Sequence, residues 1–397
     1  MKIFTNSQDK TVGGIARMIN TFVESAINTD PSVSFHFAIV SSDKRLKLHE
    51  KRKYKKTLFG FPVDGLVLSS DYYPQALNRA NSLEDLKINL AELIDFYRES
   101  IEKAKPDVIL INGTYYRPWA LLQAARQKNV PYVVYIHGSV VQEAQDPSGS
   151  LFSLLTEMEK DFYAENINYI FPSVTALKGT LFADREQTDN FHIINNSLDR
   201  EFFTPKKPKP RDKKTCAVGF VLRWERVKNI DFILDFIKFN KKSLCPYLIK
   251  VVSDISVENP TLYQDEFAEF LLPKTKTEMV EFYQEVDVII NPSFFETFGY
   301  VPAEAVASGT PALVSPLQGV SEVFLKCGLK RLICDFNDVS VIHKKVLDTI
   351  RDGVPPEEIE RLRVELDPVA LSKEILSVLS KAAELNHLYP VDLSPKH

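Results

Sequence analysis

Residues 291–311, NPSFFETFGYVPAEAVASGTP, set two carboxylates, Glu296 and Glu304, on either side of an aromatic-flanked glycine, Gly299. Carboxylates accept hydrogen bonds from sugar and ribose hydroxyls, and backbone amides at a glycine and a helix start attract anions. A molecule with hydroxyls at both ends and phosphates between them, a nucleotide sugar, fits that chemistry. Earlier in the chain, VGFVLRWERVKNIDFILDFI places Arg223 and Lys228 just after a run of strand character. Arginine binds a diphosphate bidentately and lysine adds a point charge. A third loop, DKTVGGIARMINTF, carries Gly13 and Gly14, which permit close backbone approach to a ligand. Each feature also has a plainer reading: acids near a helix N-terminus stabilise the dipole, and loop cations are commonly solvated.

These residues need elements to hold them. Short apolar runs alternate with segments of helical period, the pattern of a parallel sheet covered by helices. Expected strands are 35–40, 107–111, 131–136, 169–172, 215–222, 247–253, 286–291 and 311–315. Pro302 suits the first turn of a helix that Gly309 ends, with Glu304 in that turn. Asn229 is placed to cap a helix whose Ile230, Ile233, Leu234 and Ile237 share one face.

A chain of 397 residues is long for one core, so two domains are expected. TPKKPKPRDKK, residues 204–214, has three prolines among lysines and reads as a linker. The expected domains are therefore 1–203 and 215–397. The last helical pattern, Val369–Glu384, either closes the second domain or reaches back to the first.

The net charge of -4 gives no general attraction to nucleic acid. The four cysteines form no CxxC pair, against a disulfide framework or a zinc site. The start, MKIFTNSQDK, lacks the apolar core of a signal peptide, and no apolar run nears a membrane span. A cytoplasmic protein is expected. The dinucleotide fingerprint GxGxxG is absent, which disfavours a dehydrogenase.

The Glu296-x7-Glu304 spacing, Arg223 with Lys228, Gly13-Gly14 and IINNSLDREFFTP before the linker resemble the retaining glycosyltransferases of family 4, the glycosyl transferases group 1. The resemblance implies α/β GT-B architecture: two Rossmann-like parallel-sheet domains facing a cleft, the C-terminal one holding the nucleotide sugar and the N-terminal one the acceptor. It implies that Glu304 binds the ribose and that Glu296 contacts the donor sugar near its reacting carbon. Arg223 and Lys228 would hold the leaving diphosphate, and Thr297, Phe298, Gly299 and Tyr300 would line the donor site. Gly14, with Gly13, would let the N-terminal loop close over the donor, and His137, ending PYVVYIHG, would touch the donor sugar. Departures from the family pattern are Asn196-Ser197 for Asn-Gly, VVSDISVENP for a glycine-rich turn, and Gln318-Gly319 for a double glycine before Glu322.

No Asp-x-Asp pair stands where it would hold a metal, so transfer of a hexose or N-acetylhexosamine without metal or other cofactor is expected, from a UDP-sugar, with retention. The acceptor is expected to be a glycan or a lipid-linked sugar of cell-envelope polysaccharide synthesis. Residues 44–56, KRLKLHEKRKYKK, carry eight basic side chains and precede the apolar TLFGFPVDGLVL. That pairing suggests peripheral contact with anionic lipid at the inner membrane face, although most charge runs are solvated loops. A catalytically silent relative acting as a binding or scaffold subunit is the other function class.

Overall fold

The computed structural model describes residues 1–7, 13–143, 150–164, 167–181, 189–204, 216–244, 246–254, 268–272 and 274–388. The chain divides into two compact units, Met1–Ser197 with Pro368–His397, and Leu198–Asp367.

The first unit is built on eight strands: β1 (Lys2–Ser7), β2 (Ser34–Asp43), β3 (Lys51–Leu58), β4 (Phe61–Ser69), β5 (Val108–Asn112), β6 (Tyr132–Tyr135), β7 (Asn168–Phe171) and β8 (Phe191–Ile193). Their order is β3-β4-β2-β1-β5-β6-β7-β8, and every pairing is parallel except β3 with β4. β5 and β6 are buried along their whole length, as strands covered by helices on both faces must be. The helix Gly14–Thr29 buries Met18, Ile19, Phe22, Val23 and Ala26, the i, i+3, i+4 stripe that follows the double glycine. The helix Pro368–Leu388 packs on Gly14–Thr29 and on β5, β6 and β7, so the last helix belongs to the first unit.

Five of the eight basic side chains of the run lie on a strand and three on the turn before it. Lys51–Leu58 is the edge strand β3, and Lys51 and Lys53 pair with Glu92 and Glu99 of the helix Ala91–Ala104 at 3.2 and 2.6 Å. The Tyr54 ring lies over Gly65 of β4, where a Cβ would come within 2.2 Å of it. The apolar stretch that follows forms β4, whose Val63, Leu66, Val67 and Leu68 are core. A lysine-rich edge keeps a sheet from pairing with other chains. The apolar partner that a membrane contact needed is therefore inside the protein. No helix among the described residues is long and apolar enough to cross a membrane.

The second unit carries β9 (Ala217–Leu222), β10 (Leu248–Ser253), β11 (Ala268–Leu271), β12 (Val288–Asn291) and β13 (Ala312–Val314), all parallel, in the order β11-β10-β9-β12-β13. The unit begins at Leu198 rather than after 203, because Phe202 packs on Tyr283 and its carbonyl accepts from Ser308 Oγ at 3.1 Å. The expected linker 204–214 lies, apart from Thr204, outside the described residues. In each unit the order reverses beside the first strand, between β1 and β5 and between β9 and β12. Open parallel sheets bind ligands at the carboxyl ends of the strands at such a reversal.

Candidate active site

In the second unit, two loops leave the reversal point: 223–229 after β9 and 292–299 after β12. They are stitched together, since Phe294 N donates to Val227 O at 2.9 Å and Asn229 Nδ2 to Pro292 O at 3.3 Å. That second bond corrects the capping expected of Asn229: it precedes the helix Ile230–Lys241 in a left-handed conformation and makes no side-chain cap. On its other flank, loop 292–299 joins the segment before the helix Gly319–Lys326. Glu296 N donates to Leu317 O at 3.3 Å, Gly319 N to Glu296 O at 3.0 Å and Val320 N to Phe298 O at 2.6 Å. Gln318, fully buried, braces the same turn by donating from Nε2 to Asn291 O at 2.8 Å. The glutamine that stands where the related pattern has glycine is thus a structural strut.

Held this way, Glu296 faces Lys228. Lys228 Nζ lies 2.6 Å from Glu296 Oε1, with the side chains 14% and 21% exposed. Ser293 Oγ approaches the same oxygen at 2.9 Å and Asn291 Oδ1 at 2.7 Å. Both contacts fall on Oε1, so among the described residues Oε2 is left for a ligand. Arg223 is more open, 66% exposed, and pairs with Glu225 at 2.9 Å. Its loop is anchored where Trp224 N donates to Asp254 Oδ1 at 2.8 Å.

Gly299 caps the helix Tyr300–Ala307 with φ 105°, and a Cβ there would meet Val320 Cγ1 at 3.0 Å. Both facts call for glycine. The helix starts at Tyr300, two residues earlier than expected from Pro302, and has no acid in its first turn. Glu304 therefore lies in the second turn and is 1% exposed, with Oε2 accepting from Tyr283 Oη at 2.8 Å. The two carboxylates keep separate partners: Glu296 is partly open beside Lys228, and Glu304 is enclosed beside Tyr283. Thr297 and Tyr300 are partly exposed, and Phe298 is buried with its ring 5.3 Å from that of Tyr300.

The remaining expected residues lie in the first unit. Gly13, with φ 128°, precedes the helix that Gly14 begins, and both are exposed. His137 follows β6 and stacks on Tyr135 at 4.3 Å. Its Nε2 lies 3.4 Å from Asn112 Oδ1. The Asn112 amide nitrogen donates to Thr5 Oγ1 at 2.7 Å, which turns its oxygen toward the ring. Burial pulls the His137 pKa down to about 3, so the ring is neutral near pH 7.

The sequence did not point to Asn112, Ser293 or Tyr283. Ser293 precedes Glu296 by three residues in a loop, where no periodicity applies, and Tyr283 meets Glu304 only through packing between helices.

The family model described as glycosyl transferases group 1 matches residues 199–364. A D-inositol 3-phosphate glycosyltransferase of Corynebacterium aurimucosum is 24% identical over 153 residues, 33% of this chain and 36% of that protein. A putative glycosyltransferase EpsF of Bacillus subtilis is 25% identical over 141 residues, 32% of this chain and 37% of its own. The chain thus spans little more than a third of the length of these relatives. Among solved structures, a sucrose-phosphate synthase from Thermosynechococcus elongatus superposes with TM-score 0.74 at 14% identity, covering 97% of this chain and 100% of that one. An alpha,alpha-trehalose-phosphate synthase (UDP-forming) from Burkholderia vietnamiensis gives TM-score 0.69 at 12% identity, covering 97% and 98%. With the stitched loops of the second unit and this likeness along the whole chain, the protein carries a group 1 glycosyltransferase domain on a GT-B fold.

Proposed function

We propose that the protein transfers a hexose or N-acetylhexosamine from a nucleotide sugar, a UDP-sugar by preference, to a hydroxyl of a glycan or lipid-linked acceptor, with retention of configuration and without a metal ion. The observation that carries this reading is Lys228 set against Glu296 at the carboxyl end of β9 and β12, beside the amides of Gly299 and Tyr300. In the reaction the bond between the anomeric carbon and the phosphate oxygen breaks. The acceptor oxygen forms its new bond on the face the phosphate leaves, and the acceptor proton passes to the departing phosphate oxygen. Charge grows on that phosphate as the bond lengthens, and Lys228 and Arg223 neutralise it. Glu296 Oε2 accepts from donor-sugar hydroxyls while Oε1 holds the lysine.

Similarity to enzymes whose names specify a phosphorylated inositol, and fold likeness to synthases of phosphorylated disaccharides, supports sugar transfer as the reaction class. A role in cell-envelope polysaccharide synthesis rests on the sequence resemblance alone, and the buried β4 leaves membrane contact outside the proposal. The test is turnover of a panel of UDP-, GDP- and ADP-sugars with and without EDTA, with the anomeric configuration of the product read by NMR. An inverted product rejects same-face substitution, and complete loss in EDTA rejects metal independence. Nucleotide binding without turnover of any donor would establish the silent scaffold instead.

A further inference from the structure

The Ser293 hydroxyl has two acceptors and one proton. Ser293 lies in the loop after β12 and is 1% exposed. Its Oγ is 2.7 Å from Asn291 Oδ1 and 2.9 Å from Glu296 Oε1. Ser293 N donates to the same Asn291 Oδ1 at 3.4 Å, so the buried amide turns its oxygen, not its nitrogen, toward the serine. Both neighbours are therefore acceptors, and a hydroxyl donates to one at a time. A serine that only closed the turn would need Asn291 alone. The carboxylate at hydrogen-bond distance is the observation that a turn leaves unexplained.

Which acceptor takes the proton depends on Lys228. While Lys228 Nζ sits on Glu296 Oε1 at 2.6 Å, that oxygen has its donor and the Ser293 proton stays with Asn291, the nearer acceptor. In sugar transfer the growing charge on the leaving phosphate draws the ammonium toward it, most strongly in the transition state. Oε1 then loses its donor, and a part-buried carboxylate left unmatched is costly. A turn about the Cβ–Oγ bond of Ser293 supplies a new one without moving a heavy atom. The backbone on both sides of that rotor is fixed by other groups. Ser315 Oγ donates to Ser293 O at 2.7 Å and Gln318 Nε2 to Asn291 O at 2.8 Å. Neither bond uses the Ser293 hydroxyl, so truncating the side chain leaves the loop braced.

We propose that Ser293 is a positioning residue of sugar transfer: its hydroxyl turns from Asn291 Oδ1 to Glu296 Oε1 as Lys228 is drawn to the phosphate, and so keeps Glu296 Oε2 presented to the donor sugar. The inference rests on the transferase reading of the same site.

The experiment measures UDP released by the full chain from UDP-glucose and from UDP-N-acetylglucosamine, with water as the acceptor, for the wild type, Ser293→Ala, Glu296→Gln and the double variant. Ser293→Ala should lower kcat about tenfold or more, because the bond it removes goes to a charged group and is made as the phosphate leaves. The donor KM should stay within about threefold, and the thermal midpoint should not move. In the Glu296→Gln background, where no charge awaits the hydroxyl, Ser293→Ala should cost less than about twofold more. A serine that only shaped the loop would lower the midpoint and would cost as much in either background. The proposal is overturned if Ser293→Ala turns over as the wild type does, if its loss falls on KM with kcat unchanged, or if the loss is the same beside Glu296→Gln. Each of these leaves the transferase reading standing, since the wild type still releases UDP. A wild type that releases UDP from neither donor overturns the UDP-sugar reading and this inference with it.

Discussion

The two reversal points of the molecule handle positive charge in opposite ways. In the second unit Lys228 is matched by Glu296 at 2.6 Å and Arg223 by Glu225 at 2.9 Å. In the first unit Arg117 lies over ring faces and donates to one carbonyl, with no carboxylate paired to it among the described residues, and His137, beyond β6, is kept neutral by burial. A paired cation is preorganised: its position is fixed before the ligand arrives, and a diphosphate binds by joining or displacing a carboxylate already there. A cation without a carboxylate is held by shape, by ring faces and by neutral acceptors. The first arrangement suits a group that must respond as charge develops during reaction, the second a group built into the packing around it.

The sharpest way to break the comparison is to unpair the first arrangement. Lys228→Ala leaves Glu296 part-buried without its cation, and turnover should fall about 10²–10³-fold, the usual cost of removing one group that stabilises transition-state charge. Glu296→Ala should fall by a similar factor. Because the two act as one unit, the double variant should lose no more than the worse single one. Losses that multiply would show that Lys228 and Glu296 work independently.

The next effect is on the scaffold that holds the pair. Gly299→Ala forces a side chain into the left-handed region and within 3.0 Å of Val320 Cγ1. Urea unfolding should show a loss of about 1–3 kcal/mol. Unchanged stability would mean that the loop shifts at little cost and that the stitching to 317–320 is not rigid. A smaller effect is expected at Arg223, whose pair with Glu225 is exposed and adds only about 0–1 kcal/mol to stability. Arg223→Ala should leave the thermal midpoint in place while weakening binding of the donor nucleotide about tenfold. A drop in midpoint with unchanged affinity would make Arg223 a structural residue.

The ranking of these effects could not have been written from sequence alone. All eight expected strands are present with ends shifted by a few residues, because buried parallel strands leave a continuous apolar run that the sequence displays directly. β1, β3, β4, β8 and β11 were not expected: β3 is a polar edge strand whose lysines look like a solvated run, β4 contains Pro62, Asp64 and Gly65, and β8 and β11 are edge strands of three and four residues. Glu296, Lys228 and Gly299 were legible because short loops next to strand ends keep neighbours in sequence near one another in space. The closure around Glu304 was not, since it depends on where Tyr283 of a different helix lands. The place of Arg117 over the Tyr73 ring was illegible for a related reason, since Tyr73 belongs to a different helix.

The remaining test turns on the neutral side of the comparison. An exposed histidine titrates near 6.5, and burial holds His137 at about 3 in the folded chain. Above pH about 6.5 both states carry a neutral ring, and the contribution to stability is complete. As the pH falls below that value the unfolded chain takes up a proton that the folded chain refuses, so stability is lost progressively toward the folded pKa. His36, His192 and His343 are lowered as well, chiefly by burial, so the wild type loses stability in acid from several sites at once. Subtraction isolates one of them: thermal midpoints of the wild type and His137→Asn, followed from pH 7.5 to 5, should converge, with the variant falling less steeply. Parallel curves would mean that His137 titrates normally in the folded chain. The ring would then be charged in mild acid, and the first unit would hold a cation beyond β6 where burial now keeps a neutral group.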